Sequence, residues 1–418
     1  MNQIRTLKGT HDILPSDSQK WQRLEQIVHK VSQRFGYEEI RTPIFEETRL
    51  FSRSVGEDTD IISKEMYSWE DKNGTSITLR PELTASVVRS YIQHNLGGQA
   101  PVQRLYYMGP LFRRERPQKG RQRQFHQFGV EAFGSENPEQ DAEIIAIAWH
   151  ILSECGLSEN ATLRLNSIGS PLCRTAYREA LKDFIRPNLA QFSETSQTRF
   201  ETNPLRILDT KAEHEQKLLE GAPIVSDCFT EEDKVHFESV QRFLNAMNIP
   251  FLIDEKLVRG LDYYSRTVFE FTSTKLGAQD ALLGGGRYDK LVETLGGKPT
   301  PGIGFASGME RFLIAMGDQT IESKMDIYFV CLDEAGLSTA LSLSNELRHA
   351  GFSVISDPLR RSLKAQMREA NKSRARYAII LGETEMETDS VVLKNLEKGE
   401  QETVSQKNIK EKLKNLTI

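Results

Sequence analysis

Residues 112–131 read FRRERPQKGRQRQFHQFGVE, and the reading of the chain starts from them. Two segments with strand character flank a Pro-Gln-Lys-Gly turn. Arg113, Arg114, Arg116, Lys119, Arg121 and Arg123 crowd around that turn with Glu115 as their only acid up to position 123. A hairpin so charged suits an anion, most economically a polyphosphate, because the guanidinium fork grips two oxygens at once and stays protonated. Phe125 adds an aromatic face for a base. Taken alone, the run also reads as a solvated cationic face.

Outward from the hairpin, Pro15 and Ser16 precede apolar residues at helical spacing (Trp21, Leu24, Ile27, Val28, Val31, Phe35), closed by Gly36. YEEIRTPIFE then reads as a strand ending at Pro43, and KEMYSWEDKNGTSITLRPE as two strands around Asn73-Gly74. A helix is expected near 138–155. From about 170 to 230 the pattern turns helical and polar, which predicts a helical insertion, and strand signals return over 257–316. After Gly317, short strands alternate with helices: DIYFVCL, a helix through Leu347, FSVIS, a basic helix around 359–375, YAIILG, VVLKNL, a Lys398-Gly399 turn, ETVSQ and a last helix. That order predicts a small α/β domain.

Composition narrows the function. A chain of 418 residues holds two or three domains, and a net charge of −5 excludes a generally basic nucleic-acid coat protein, so any RNA contact must be local. Cys155, Cys173, Cys228 and Cys331 have neither Cys-x-x-Cys spacing nor paired histidines, so free thiols are expected, not a disulfide framework or a zinc site. The opening residues lack a signal-peptide core, and no run approaches the roughly 18 apolar residues of a membrane span. A cytoplasmic protein without a membrane partner is the expectation.

The hairpin resembles the second signature motif of class II aminoacyl-tRNA synthetases, carried by Phe112, Arg113, Glu115, Arg121, Phe125 and Glu131. LVRGLDYYSRTVFEF at 257–271 and GGGRYDKLVE at 284–293 look like the two motifs of the histidyl-tRNA synthetase family within that class. GIGFASGMERFL at 302–313 looks like the third class II motif, and the helix and strand ending at Pro43 resemble the first. GGGRYDKL has neither P-loop nor dinucleotide-fingerprint spacing. The resemblance spans essentially the whole chain. It implies an α+β fold: a class II antiparallel sheet flanked by helices over 1–320, interrupted by the helical insertion at about 170–230, and an anticodon-binding α/β domain at 325–418.

The same resemblance implies ATP-dependent ligation of L-histidine to its tRNA through a histidyl-adenylate. It places Arg113 and Arg259 at the α-phosphate as catalytic residues and Arg311 at the γ-phosphate, with Arg121 completing the ATP contacts and Glu115 and Phe125 at adenine. Glu82, Thr84 and Gln127 fall where the family binds the α-amino group of histidine, Glu131 and Tyr264 where it binds the imidazole, with Tyr263 and Tyr288 as pocket walls. Arg116, Gln118 and Lys119 occupy the loop that meets the tRNA acceptor end. Arg360, Arg361, Lys364, Arg368, Lys372, Arg374 and Arg376 make a basic helix that could follow an anticodon stem or be a solvated face. Mg²⁺ is implied on the pyrophosphate oxygens with no assignable protein ligands, and a homodimer is implied by the first motif. Two other readings stand beside this one. The first is a synthetase-like regulatory subunit of ATP phosphoribosyltransferase, which generally lacks the C-terminal domain and has eroded motifs; the second is a synthetase-like RNA sensor, which would accompany a kinase.

Overall fold

Alternating side chains build one large sheet in the first part of the chain. Its strands are β1 (Glu38–Glu39), β2 (Gln103–Phe112), β3 (Gln124–Phe133), β4 (Ala161–Ser167), β5 (Phe251–Ile253), β6 (Ser265–Ser273), β7 (Ala281–Arg287) and β8 (Gly302–Gly308), in the order β1-β2-β3-β8-β7-β6-β4-β5. On β3, Phe128, Val130 and Ala132 enter the core beneath the helices Pro15–Arg34, Pro138–Glu154 and Glu231–Ala246. The intervening Phe125, Gln127 and Glu131 face the other side, as the two-residue period of a strand requires. A computed structural model of the chain describes residues 3–55, 59, 61–118, 120–208, 210, 212–258, 263–277, 280–317 and 325–417. It divides into two units, Met1–Gln319 and Thr320–Ile418.

The sheet is antiparallel through its centre, but both edges pair in parallel, β1 with β2 and β4 with β5. A parallel pair needs a long crossover. Between β4 and β5 the crossover is the helical insertion itself, whose helices Pro171–Ile185, Glu194–Thr202 and Glu213–Leu218 bury a cluster of their own around Tyr177, Leu181, Phe200 and Ile207. The sequence reading marked neither β4 nor β5, although Leu163 and Leu165 alternate with exposed Arg164. The sequence also predicts a single strand ending at Pro43. Instead the segment breaks after Glu39 and re-forms at Phe45–Glu47 in a separate three-stranded sheet with Ser76–Leu79 and Tyr67–Glu70. The break has a visible cause. The buried Arg80 guanidinium donates from Nη1 to the carbonyls of Thr42 (2.8 Å) and Pro43 (3.2 Å), and from Nε to Pro110 on β2 (2.9 Å).

Glycines on the open face of the sheet make room for larger neighbours. A Cβ at Gly129 would overlap the Tyr107 hydroxyl, one at Gly304 the Glu131 carboxylate, and one at Gly286 would come within 2.9 Å of the Tyr264 ring. Below the sheet a buried ion network ties strand ends together. Arg287 and Asp141 are both fully buried and form a two-pronged pair, one prong being Nε to Oδ1 at 3.0 Å. Arg287 also donates to Ser135 O (2.8 Å), Asn137 O (3.2 Å) and Asp289 Oδ1 (3.1 Å), while Thr267 Oγ1 donates to Asp141 Oδ2 (2.6 Å).

The second unit carries a five-stranded sheet of β9 (Ile327–Cys331), β10 (Val354–Ser356), β11 (Tyr377–Leu381), β12 (Ser390–Asn395) and β13 (Gln401–Ser405), ordered β10-β9-β11-β12-β13. Helices Leu337–His349 and Ile409–Thr417 fall where the sequence predicts them; the basic helix is shorter than expected, Leu363–Lys372, and leaves Arg360, Arg361, Arg374 and Arg376 outside it, and a short helix Glu383–Glu387 is also present. Cys155 and Cys173 are buried thiols, Cys228 and Cys331 partly so. Among the described residues no helix is long and apolar enough to cross a membrane.

Removing Asp141 leaves buried Arg287 with Asp289 as counter-charge but without its charged hydrogen bonds to Asp141, a loss of about 1.5–3 kcal/mol, whereas replacing both partners of the pair with apolar residues of similar size is milder. Asp141→Asn is therefore expected to lower unfolding free energy by about that amount, and the double change Asp141→Leu/Arg287→Met by clearly less, as read from urea midpoints. A single-variant loss below about 1 kcal/mol would contradict the assignment.

Candidate active site

The open face of the sheet holds a cavity of 330 Å³, and its lining brings together residues far apart in sequence. β3 contributes Phe125, Gln127 and Glu131, β8 contributes Gly304 and Gly308, and β7 contributes the segment from Ala281 to Gly284. Glu82 and Thr84 enter from the start of the helix Thr84–Gln93. That segment is docked by hydrogen bonds from Phe112 N to Arg80 O (3.1 Å) and from Arg113 Nε to Pro81 O (2.9 Å). Tyr263, Tyr264 and Tyr288 close one wall, and Arg311 comes from the first turn of the helix Met309–Met316.

One end of the cavity is acidic and buried. Glu131 is 1% exposed, and its Oε1 accepts from Thr84 Oγ1 (2.8 Å) and the Tyr107 hydroxyl (3.0 Å) while Oε2 accepts from the Tyr288 hydroxyl. Burial pushes its carboxyl up to about 7, with neighbouring Glu82 adding to the rise and the three hydroxyls opposing it. Glu82 accepts the Ala85 N–H at 2.9 Å, and burial pushes it to about 7 as well, against its backbone hydrogen bonds and the Arg113 charge. Burial, reinforced by the nearby carboxylates, holds Tyr107, Tyr263 and Tyr288 well above the ordinary phenol range, so they remain donors. Two carboxylates facing one desolvated space make a receptor for a group carrying positive charge and N–H donors.

The other end is cationic. Arg113 lies 5.2 Å from the Phe125 ring centroid and 3.7 Å from Glu115, and Arg121 lies 3.4 Å from the same carboxylate. Arg311 donates from Nη1 to Ala281 O at 2.8 Å, and burial lowers its pKa, with the charge of Arg121 adding to the effect. Its helix is tied to β3 by Glu310, whose carboxylate accepts the His126 backbone N–H at 2.8 Å. Arginines aimed into one cavity beside an aromatic ring suit a nucleotide polyphosphate.

Of the residues singled out from sequence, Glu82, Thr84, Arg113, Glu115, Arg121, Phe125, Gln127, Glu131, Tyr263, Tyr264, Tyr288 and Arg311 all line this cavity. Arg116 and Gln118 are exposed on the hairpin loop and do not; Gln118 pairs back with Arg121 there. Arg259 and Lys119 lie outside the described residues. The sequence reading missed Tyr107, which grips Glu131, together with Gln122 and Glu310 on the lining. The alternation along β2 places Tyr107 on the pocket face, and that was the available signal. In the second unit, Arg360, Arg361 and Lys372 are engaged in ion pairs with Glu334, Asp357 and Glu369.

Comparison with known proteins agrees with this geometry. Residues 9–312 match the family described as histidyl-tRNA synthetase, and residues 326–416 match the anticodon binding domain family. A histidine–tRNA ligase of Chloroherpeton thalassium is 48% identical over 427 aligned residues, covering 99% of this chain and 98% of that protein. One from Listeria innocua is 48% identical, covering 98% and 97%. The crystal structure of the apo S. aureus histidyl-tRNA synthetase superposes with a TM-score of 0.84 at 39% identity, covering 99% of this chain and 100% of that one.

The two raised carboxyls set a pH dependence for the ligand-free protein. Since their folded pKa lies above the unfolded one, about 4.3 for glutamate, they bind more protons folded than unfolded, and the stability they contribute is fully present below about 4.3 and lost as pH rises through about 7. Melting curves between pH 5 and 8 are expected to show a decline that is flatter in Glu131→Gln than in the parent. Parallel curves would mean that Glu131 does not titrate in this window.

Proposed function

We propose, for a chain that belongs to the histidyl-tRNA synthetase family, that the acidic end of the cavity binds L-histidine and the arginine end binds ATP. The enzyme is a histidine–tRNA ligase, joining histidine to its tRNA at the expense of ATP. The observation that carries the residue-level reading is the meeting of both ends in one cavity, with a carboxylate pair at one side and Arg113, Arg121 and Arg311 at the other. The relatives matched along nearly their full length are ligases and the anticodon-domain match is present, so the regulatory-subunit reading is not favoured.

In this reading, Glu82, Thr84 and Gln127 hold the α-ammonium, while Glu131 accepts a ring N–H through its remaining lone-pair capacity and Tyr264 serves the other nitrogen. The histidine carboxylate then attacks the α-phosphorus of ATP in line, forming histidyl-adenylate and releasing pyrophosphate. Arg113 faces the charge growing on the α-phosphoryl oxygens, joined by Arg259 on the strength of the family motif, and Arg121 and Arg311 meet the departing phosphates. Fixed cations in a water-poor cleft stabilise that charge without reorganising. Adenine lies on Phe125 with Glu115 at its edge. A hydroxyl of the tRNA 3′ end then attacks the adenylate carbonyl, forming the ester as the bond to the phosphate oxygen breaks and AMP leaves, with the acceptor stem met by Arg116, Gln118 and Lys119.

Mg²⁺ on the pyrophosphate oxygens is part of this proposal, yet no group of three or more His, Cys, Asp or Glu side chains among the described residues could cage it. The ion would be carried by the triphosphate, whose oxygens it would neutralise. A homodimer is supported by exposed Ile44, Phe45 and Trp69 around the three-stranded sheet, and a cytoplasmic location by the reaction.

Glu131→Gln keeps the size of the side chain while removing its charge, and losing a charged hydrogen bond is worth about 1.5–3 kcal/mol. The histidine KM in pyrophosphate exchange should rise about ten- to hundredfold with the ATP KM nearly unchanged. An unchanged histidine KM, or equal losses for both substrates, would leave Glu131 a structural residue.

All the adenylate-forming residues precede Met316, so a folded chain ending near residue 320 should retain pyrophosphate exchange while losing most of its tRNA aminoacylation. Equal loss of both reactions, with the fold verified by circular dichroism, would contradict that division of labour.

A further inference from the structure

The hairpin that carries the cationic end runs beyond the sheet. Its ladder ends where Phe112 faces Gln124, one further rung joins Arg113 N to Arg123 O at 2.9 Å, and beyond it both arms bond to segments foreign to the hairpin. The outgoing arm donates from Arg114 N to Glu65 O at 2.7 Å. The returning arm donates to the N-terminal segment, where Gly9 O accepts Arg123 N at 2.7 Å and Gln124 N at 3.3 Å. Gly9 sits in a turn closed onto Leu7 O by Thr10 N (3.0 Å) and Thr10 Oγ1 (2.8 Å), and it is buried although residues 3–8 are exposed. Its φ is +91°, and a Cβ there would come within 2.8 Å of Arg123 Cγ and 2.9 Å of Pro117 Cγ, one on each arm. An L side chain at this position is strained by its backbone and would pry the two arms apart.

We propose that Gly9 is a positioning residue for the hairpin: the turn at residues 7–10 is a strap that sets where the loop presents Arg121 to ATP and Arg116 and Gln118 to the tRNA acceptor end. The proposal rests on the reading of this cavity and loop as the ATP and acceptor sites. Arg121 lies two residues before the strapped Arg123 and Phe125 two after it, and the loop tip reaches another phosphate-side arginine, since a Cβ at Gly120 would stand 3.7 Å from Arg311 Cγ. A displacement of the returning arm therefore reaches the groups assigned to the nucleotide. The histidine end is held separately, by Thr84, Tyr107 and Tyr288 around Glu131. Holding a loop before its ligand arrives reduces the ordering that binding would cost, so the strap acts on affinity for what the loop touches.

The test is Gly9→Ala in the full-length protein, with Gly36→Ala as the control. Gly36 also has a positive φ, +76°, but nothing lies within 4 Å of its Cβ position and it follows the helix Pro15–Arg34 away from the cavity lining, so it carries the backbone strain without the hairpin. Gly9→Ala is expected to raise the KM for ATP in pyrophosphate exchange and for tRNA in aminoacylation about five- to tenfold each, with the histidine KM within about twofold of the parent. Gly36→Ala should leave all three within that same limit. If Gly9→Ala does not fold, Thr10→Val, which removes the hydroxyl bond to Leu7 O at nearly constant size, should raise the ATP and tRNA KM about threefold. Unchanged ATP and tRNA constants in the folded variant, a histidine KM that rises as much as the other two, or an equal shift in Gly36→Ala would each overturn the proposal. A parent without histidine-dependent exchange would instead fail the functional reading on which it rests.

Discussion

Burying Glu131 is the constraint around which the site is arranged. A carboxylate 1% exposed would be protonated or expelled unless donors surrounded it, and three hydroxyls from three separate segments, Thr84, Tyr107 and Tyr288, do so. Each donor brings its own requirement. Tyr107 needs Gly129 beneath its hydroxyl, the carboxylate needs Gly304 across the strand pair, and Tyr288 follows the buried Arg287. Thr84 must be delivered by the start of a helix whose preceding residues are fastened to β2 through Arg80 and Arg113. The glycine-rich strands and the Arg80 anchor are thus consequences of placing one charge in a dry pocket.

The opposite end of the cavity solves the reverse problem. Cations there are held by backbone carbonyls and carboxylates, as in Arg113 with Pro81 and Glu115, and Arg311 with Ala281. Such partners restrict each guanidinium before a ligand arrives, so less ordering entropy is lost on binding. Glu310 belongs to this apparatus although it is an acid, because it ties the Arg311 helix to β3 through His126. The chain can therefore carry a net charge of −5 and still present a concentrated positive field where an anion is to be bound.

Much of this was legible in the residues because the signals were local or motif-borne. Period-two alternation and turn glycines such as Gly74 placed most strands, while the residues that meet in the cavity came from the motifs that resemble those of the family. What escaped depends on partners distant in sequence. Tyr107 looks like any strand tyrosine until the neighbouring strand brings Glu131 within reach of its hydroxyl, and Arg287 and Asp141, 146 positions apart, look like surface charges until the fold buries them. The break after Glu39 escaped for the same reason, since it answers to Arg80. β4 was missed for a weaker cause: its Leu163 and Leu165 alternation lies at the edge of a helical stretch that dominates the local pattern.

Selection of histidine by the carboxylate-and-hydroxyl end of the cavity is the property on which the function turns. The direct measurement is ATP–pyrophosphate exchange by the full-length protein, run with each of the twenty amino acids in turn at fixed ATP. A pocket built to pair a polar side chain rejects analogues that cannot pair by roughly 10⁴- to 10⁵-fold. Exchange is expected with histidine and near background with the other nineteen. Comparable exchange with a second amino acid, or none with histidine, would contradict the assignment of that pocket.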